Sequence, residues 1–302
     1  MRGLTLRQLR AVLAVDRLGK VNAAARALGL TAPAVTLQIQ QAESAAGTLL
    51  FERASDGFHP TDAGRAMIAA AQDVEQRLLL LGEEVAAIGG GEKGFLRLGA
   101  VSTAKYFAPT IIAGFAAEHP GVEVRLTVAN RAGIIAALDA REIDIALMGR
   151  PPRAAEVATH LIGDHPLVII AAPGHALVGA QRISKRRIAE ETFLVREPGS
   201  GTRTSLELFL GEVPGRLDRL GPEFNSNETI KQGVMAQMGV AMISAHTIAL
   251  ELEVGRLAVL DVVGTPLMRQ WFVVSHADRL ASPAMAAFKG FVVERGRGFL
   301  PG

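Results

Sequence analysis

Five short stretches in the second half of the chain place cations, hydroxyls and amides where helices begin. They are VSTAK (101–105), ANR (129–131), GRPPR (149–153), REPGSGTR (196–203) and NSNETIK (225–231), each after an apolar run. The first backbone N–H groups of a helix lack intrahelical acceptors, and the helix dipole favours an anion there. Lys105, Arg131, Arg150 and Arg203 add full positive charge. Converging on one cleft, these groups would hold phosphate or carboxylate. The candidate ligand contacts are Ser102, Thr103, Lys105, Asn130, Arg131, Arg150, Glu197, Gly199, Ser200, Gly201, Thr202, Arg203, Asn227 and Thr229. His246, just after the apolar run VAMISA, is placed at the border of the cleft. Ser, Thr, Asn and Gly are also ordinary capping and turn residues. Any one junction alone reads better as a cap; the five together point to a cleft.

Catalytic chemistry is not indicated. The chain has no cysteine, which excludes disulfides, thiolate metal sites and cysteine nucleophiles. Its seven histidines form no H-E-x-x-H, and there is no G-x-S-x-G or P-loop. GGGEKG (89–94) matches G-x-G-x-x-G, but it follows a helix and leads into a strand, the reverse of a dinucleotide site. It reads as a domain boundary. The acids Glu142 and Asp144 flank a strand start and read as solvated. The expectation is a protein that is not an enzyme, with no metal or resident cofactor.

These junctions need a scaffold. From residue 95 onward short apolar runs alternate with helical patterns: strands over FLRLGAV, VEVRLTVA, IDIALM, PLVIIAA, TFLVRE, VAMIS and WFVVSH, with an amphipathic helix over SPAMAAFKGFVVERG at the end. This alternation predicts an α/β domain with largely parallel strands, whose ligands sit at the strands' carboxyl ends.

The first 65 residues are different. Lys+Arg total 32 and Asp+Glu 30 over the 302 residues, a net charge of +2. Residues 1–65 alone carry +3, leaving −1 for everything after them. Thr5 and Gln8 fit a capping box opening a helix. Asn22 reads as the N-cap of AAARAL, and Gly29 as its C-terminal residue. Thr31 caps TAPAVTLQIQQAE, where Pro33 is tolerated in the first turn. Val35, Ile39 and Ala42 face inward. Ala32, Thr36, Leu37, Gln40 and Gln41 face outward. This is helix–turn–helix spacing, with amide side chains suited to base edges. LLFER and FHPT flank ASDG and read as a β-wing, with Arg53 directed at a phosphate backbone. The candidate DNA contacts are Asn22, Thr31, Ala32, Pro33, Thr36, Leu37, Gln40 and Arg53.

Between the two halves lies a long helical pattern from residue 62. Val74, Leu78, Leu81, Val85 and Ile88 recur at spacings of 4, 3, 4 and 3, an apolar seam that needs a partner. The N-terminus is charged throughout, without the apolar core of a signal peptide. No run approaches the ~18 apolar residues of a membrane span. The expectation is a soluble, cytoplasmic protein.

The order AAARAL, GLTAPAVTLQIQQAE, LFER and TDAG resembles the winged helix–turn–helix of LysR-type transcriptional regulators. The second half resembles that family's effector domain. VSTAKYFAP, LTVANR, REPGSGTR, SNETIKQGVMAQMGVAMISAHT and PLMRQWFVV are similar to the branch that controls Calvin-cycle carbon-fixation operons. The resemblance implies a winged helix–turn–helix over 1–61, a dimerisation helix over 62–91, and an effector domain over 92–302 with the two-lobed fold of periplasmic binding proteins. Lobe I would span about 95–165 and 268–302, and lobe II about 166–267. It further implies a homodimer or homotetramer reading an inverted repeat in double-stranded DNA, with RNA polymerase as a further partner. The implied effector is a small anionic metabolite: a phosphorylated compound such as ribulose bisphosphate, or NADPH or ATP. One departure stands out. Members of the family often carry Arg or Lys on the outer face of the third helix, where this chain has Leu37 and Gln40. That shifts DNA affinity onto Arg53, Lys20 and Arg26.

Overall fold

The computed structural model describes residues 3–54, 57–88, 94–152, 157–215, 220–278 and 281–301. The chain forms two compact units, Met1–Val85 and Ala86–Gly302. The first contains helices α1 (Leu6–Leu18), α2 (Val21–Leu28) and α3 (Ala32–Ala46), a hairpin of β1 (Phe51–Ala54) and β2 (Gly57–Pro60), and the start of the 27-residue helix α4 (Asp62–Ile88).

Local sequence fixes most of this unit. The Thr5–Gln8 capping box forms as expected: the Gln8 amide oxygen accepts from Thr5 N–H at 2.8 Å and the Thr5 hydroxyl from Gln8 N–H at 3.4 Å. Thr31 caps α3 through Ala34 N–H. Gly29 ends α2 with φ +65°, a conformation that other residues adopt only with strain. One expectation needs correcting. The N-cap of α2 is Lys20, without a side-chain bond, and Asn22 lies inside the first turn with its side chain exposed. Val12, Val15, Ala24, Val35, Ile39 and Leu50 are buried in one core, so the inward stripe of α3 is as read. The hairpin pairs Arg53 with Phe58 and Ala54 with Gly57; the expected Asp56 turn residue lies outside the described residues. Phe58 N–H donates to Gly19 O at 3.0 Å, which pins the wing to the α1–α2 turn. Gly57 permits that approach, since a Cβ there would fall 2.5 Å from the same oxygen.

Helix α4 is tied back to α1 by an Arg10–Glu75 ion pair at 2.6 Å. Its seam residues Val74, Leu78, Leu81 and Val85 are all exposed, Val85 at 60%. The side chain of Ile88 and most of the glycine connector lie outside the described residues.

The second unit begins with β3 (Gly94–Val101), α5 (Ala108–Glu118), β4 (Val122–Ala129), α6 (Arg131–Asp139), β5 (Ile145–Met148) and β6 (Val157–Ala171). It continues with α7 (Lys185–Ile188), β7 (Val195–Arg196), α8 (Gly201–Leu210), β8 (Glu223–Phe224), α9 (Asn227–Met235), β9 (Ala241–Ser244), α10 (Ala249–Glu253), β10 (Ala258–Leu260), β11 (Leu267–His276) and α11 (Pro283–Arg295). One sheet runs β10-β6-β11-β5-β3-β4, with β9 also on β6.

The expectation of largely parallel strands is corrected here. Only the β3–β4 and β3–β5 pairs of this sheet are parallel. β6 pairs antiparallel with β9, β10 and β11, and β11 antiparallel with β5. The reason is that β6 is 15 residues long and starts well before PLVIIAA, so it and β11 traverse the whole unit side by side. TFLVRE contributes only the two residues of β7. The two long strands join two lobes, each with its own interior. Leu98, Phe107, Ile111, Phe115, Trp271 and Phe288 fill one. Phe193, Leu206, Phe209 and Met242 fill the other, with Leu194, Ile230 and Ile243 on the opposite face of its strands.

Candidate anion cleft and nucleic-acid interface

In the first unit, α2, α3 and the wing enclose one groove. Asn22, Ala32, Pro33, Thr36, Leu37, Gln40 and Arg53 all line it, together with Lys20 and Phe58. Thr31 does not; its hydroxyl is spent on capping α3. Leu37 is 51% exposed with no apolar cover. The Arg53 guanidinium lies 5.7 Å from the Phe58 ring, held over the wing by a cation–π contact. The groove lining combines two cations, Lys20 and Arg53, with the amide of Gln40. This is the arrangement that positions on phosphates and reads base edges.

In the second unit, a cavity of about 300 Å³ lies between the lobes. Four of the five predicted junctions reach it. Ser102 and Thr103 come from the end of β3, Arg131 from the first turn of α6 and Arg150 from the end of β5. Ser200, Gly201 and Thr202 come from the start of α8. The described lining residues include three arginines (Arg131, Arg150 and Arg269) and no carboxylate. Burial lowers the pKa of Arg131, and the adjacent Arg150 lowers it further. Arg131 donates to the backbone carbonyl of Arg150 at 3.1 Å, which anchors its guanidinium beside the loop after β5. Crowded like charges at helix N-termini are relieved by an anion.

The remaining predicted contacts are engaged elsewhere. Arg203 points away from the cavity: it donates to Glu207 at 2.8 Å, to Glu223 at 2.5 Å and to Arg196 O at 3.0 Å. His246 is buried, and its Nδ1 accepts the Trp271 indole N–H at 3.1 Å. Thr229 is exposed at the start of α9 and bonds to Ser226. Lys105, Asn130, Glu197, Gly199 and Asn227 build a contact between the lobes. Asn130 caps α6 through Gly133 N–H and donates to Glu197 at 3.1 Å. Ala132 N–H donates to Gly199 O at 3.1 Å. Arg196, 2% exposed, donates to both Glu197 oxygens, to Asn227 and to Ser102. Lys105 and Tyr106 both bond to Glu228. Burial works against the Glu228 carboxylate, but those two partners outweigh it and hold its pKa down to about 2. Arg153 of GRPPR lies outside the described residues.

Sequence reasoning missed His165, Leu167, Gly149, Thr204, Ser205 and Arg269 in the cavity wall. Arg269 and His165 are cross-strand partners on β11 and β6. Starting β6 at Pro166 left His165 outside the strand, where its facing could not be read. Asp144 was also misjudged: it is buried and bonds to Arg97 N–H at 2.7 Å and to its guanidinium at 2.7 Å. Among the described residues no His/Asp/Glu group could hold a metal, and no helix is long and apolar enough to cross a membrane.

Known proteins share this architecture. Residues 6–65 match the bacterial regulatory helix-turn-helix protein, lysR family, and residues 89–297 the LysR substrate binding domain. The chain is 57% identical over 301 residues to the HTH-type transcriptional regulator CbbR of Rhizobium meliloti (strain 1021), spanning 100% of this chain and 96% of that protein. The structure of the Synechocystis PCC6803 CcmR regulatory domain in complex with 2-PG is similar at 32% identity. It covers 67% of this chain and 97% of that one, with a TM-score of 0.62. Full-length CbnR complexed with its target DNA shares the fold at 21% identity and TM-score 0.63, over 96% of this chain and 99% of that one. The groove, the long helix and the two-lobed unit thus occur together in one recognised order, and the chain is a DNA-binding transcriptional regulator of the LysR family.

Proposed function

We propose that this protein regulates a carbon-fixation operon and is switched by a short phosphorylated metabolite held between its lobes. The observation that carries the second part is the cavity: three arginines, a ring of hydroxyls and two helix N-termini, with no carboxylate among the described lining residues. At about 300 Å³ it lies at the low end of ligand pockets, room for a short phosphorylated chain rather than a dinucleotide. The relatives named as CbbR support the operon, and the CcmR regulatory domain in complex with 2-PG supports an organic anion. No resident cofactor is needed. The protein acts where its DNA is, in the cytoplasm.

The chemistry follows from the contacts. An anion in the cavity touches Ser102 and Arg131 of one lobe and Ser200 and Thr202 of the other, so it binds best when they are closed upon it. Differential affinity of that kind shifts a two-state equilibrium. The exposed apolar seam of α4 pairs with a second copy, which presents two grooves to an inverted repeat. The test is binding of the pure protein to DNA upstream of a carbon-fixation operon, over a salt series, with and without ribulose bisphosphate and 2-PG. Phosphate contacts make affinity fall steeply with salt. Failure to bind that DNA at low salt, or a DNA complex indifferent to every organic phosphate, refutes the reading.

A further inference from the structure

Helix α3 has no lysine or arginine anywhere along Ala32–Ala46, and its one charged residue, Glu43, is held by Leu50 N–H at 2.9 Å. Pro33, Thr36, Leu37 and Gln40 recur at the i, i+3, i+4, i+7 spacing of a single helix face. All four are exposed and all four line the groove. The Thr36 hydroxyl donates back to Ala32 O at 3.0 Å, so its proton is committed within the helix. The neighbouring Gln41 is engaged as well, accepting from Gln8 at 3.2 Å. The ridge therefore presents carbon at Pro33 and Leu37 and a free amide at Gln40. Leu37 is its most prominent apolar group, 51% exposed.

The chemistry of base edges says what such a ridge can read. A bidentate contact to guanine needs Arg or Lys, and α3 has neither. An amide pairs with adenine, and the one apolar group on a major-groove edge is the 5-methyl of thymine. An exposed leucine alone is ordinary. This one stands on the ridge of a groove whose lining also holds Lys20 and Arg53, the charge that draws in a phosphate backbone. DNA seated there brings a base edge onto Leu37, and only thymine gives that side chain apolar surface to cover. We propose that Leu37 is a specificity residue that reads the 5-methyl group of a thymine in the binding site. A cation at this position would read guanine; here the same position selects a methyl group. This rests on the reading of the groove as the DNA-binding face.

The test starts from a duplex that the full-length protein selects from a random library. Each thymine of that duplex is replaced in turn by deoxyuridine, which removes the methyl group alone, and affinity is read by fluorescence anisotropy. For the wild type, one replacement (with its symmetric copy in an inverted repeat) should weaken binding about fourfold, the scale of one methyl group withdrawn from contact. Leu37→Ala should bind the thymine and deoxyuridine duplexes equally at that position. Leu37→Met, which keeps an apolar side chain of similar reach, should retain most of the difference. A wild type indifferent to every replacement overturns the proposal, as does a Leu37→Ala protein that keeps the wild-type difference at every position. Should Leu37→Ala bind too weakly to titrate, Leu37→Val is read by the same criteria. Lys20→Ala combined with Arg53→Ala separates the two levels. If that pair leaves affinity for the selected duplex as in the wild type, the groove is not the DNA-binding face and both readings fall. If it weakens that duplex while Leu37→Ala keeps the methyl dependence, only the role of Leu37 falls.

Discussion

Arg196 of one lobe donates a 3.2 Å hydrogen bond to the hydroxyl of Ser102 of the other, and Ser102 also lines the anion cavity. Cavity wall and lobe-to-lobe lock therefore share a side chain. Arg196 is buried and also holds Glu197 and Asn227. Removing it strands a carboxylate and an amide. Arg196→Leu should cost about 3 kcal/mol of stability in the second unit, measured by denaturant unfolding. A loss under about 0.5 kcal/mol, the range of ordinary surface changes, would mean the lock is ornamental.

The two arginines of similar sequence context should behave oppositely. Arg131 faces the cavity, whereas Arg203 is consumed by Glu207 and Glu223. Arg131→Ala should weaken inorganic phosphate or 2-PG by roughly tenfold or more, the scale of a charged hydrogen bond. Arg203→Ala should leave that affinity within about twofold of the wild type. Calorimetry with the reverse ranking would move the site.

Acid should loosen the second unit before it titrates the carboxylates. The unfolded His165 ring ionises near 6.5 and the folded ring near 3. Between those values the unfolded chain binds more protons, so stability is full above about 6.5 and declines as pH falls. Glu228, held at about 2 against 4.5 unfolded, acts in the same direction only below about 4.5. Thermal unfolding between about pH 7 and pH 5 therefore isolates the histidine contribution. His165→Phe should flatten that slope; an unchanged slope would assign it to other groups, His246 among them.

In the groove, Arg53 and Gln40 should respond differently to substitution. Arg53→Ala should weaken binding to all sequences alike and reduce the salt slope by about 1. Gln40→Ala should instead change base preference, because an amide can pair with an adenine edge. Binding arrays read at two salt concentrations tell these apart. An altered sequence preference from Arg53→Ala would mean the wing reads bases.

The exposed seam of α4 predicts an assembly contact. Leu78→Glu with Leu81→Glu places charge on that stripe without touching either core. The double variant should sediment as a smaller species and lose affinity for an inverted repeat by more than for a half-site. Unchanged sedimentation would assign the contact to another surface.

The chain's local chemistry was legible wherever a few neighbouring residues decide the outcome. The Thr5–Gln8 box, the Thr31 cap, the αL Gly29 and the inward Val35, Ile39 and Ala42 are each set by residues within about two turns of one another. The Arg203–Glu207 pairing was legible too, as an i,i+4 pair, and was passed over. By itself, then, the sequence determined the helix–turn–helix, the wing, the long helix and the positions of four of the five anion-seeking junctions. Only the tertiary structure decided the rest. Strands β6 and β11 pair across about a hundred residues, and that pairing made the sheet mixed and set His165 opposite Arg269. Whether a junction cation meets the cavity or a carboxylate depends on which side chain a distant segment brings beside it. Glu223 captures Arg203 and Glu228 captures Lys105, while Arg131 keeps its cavity face. Such contacts follow from how distant segments close around two cores, and no spacing along the chain encodes them.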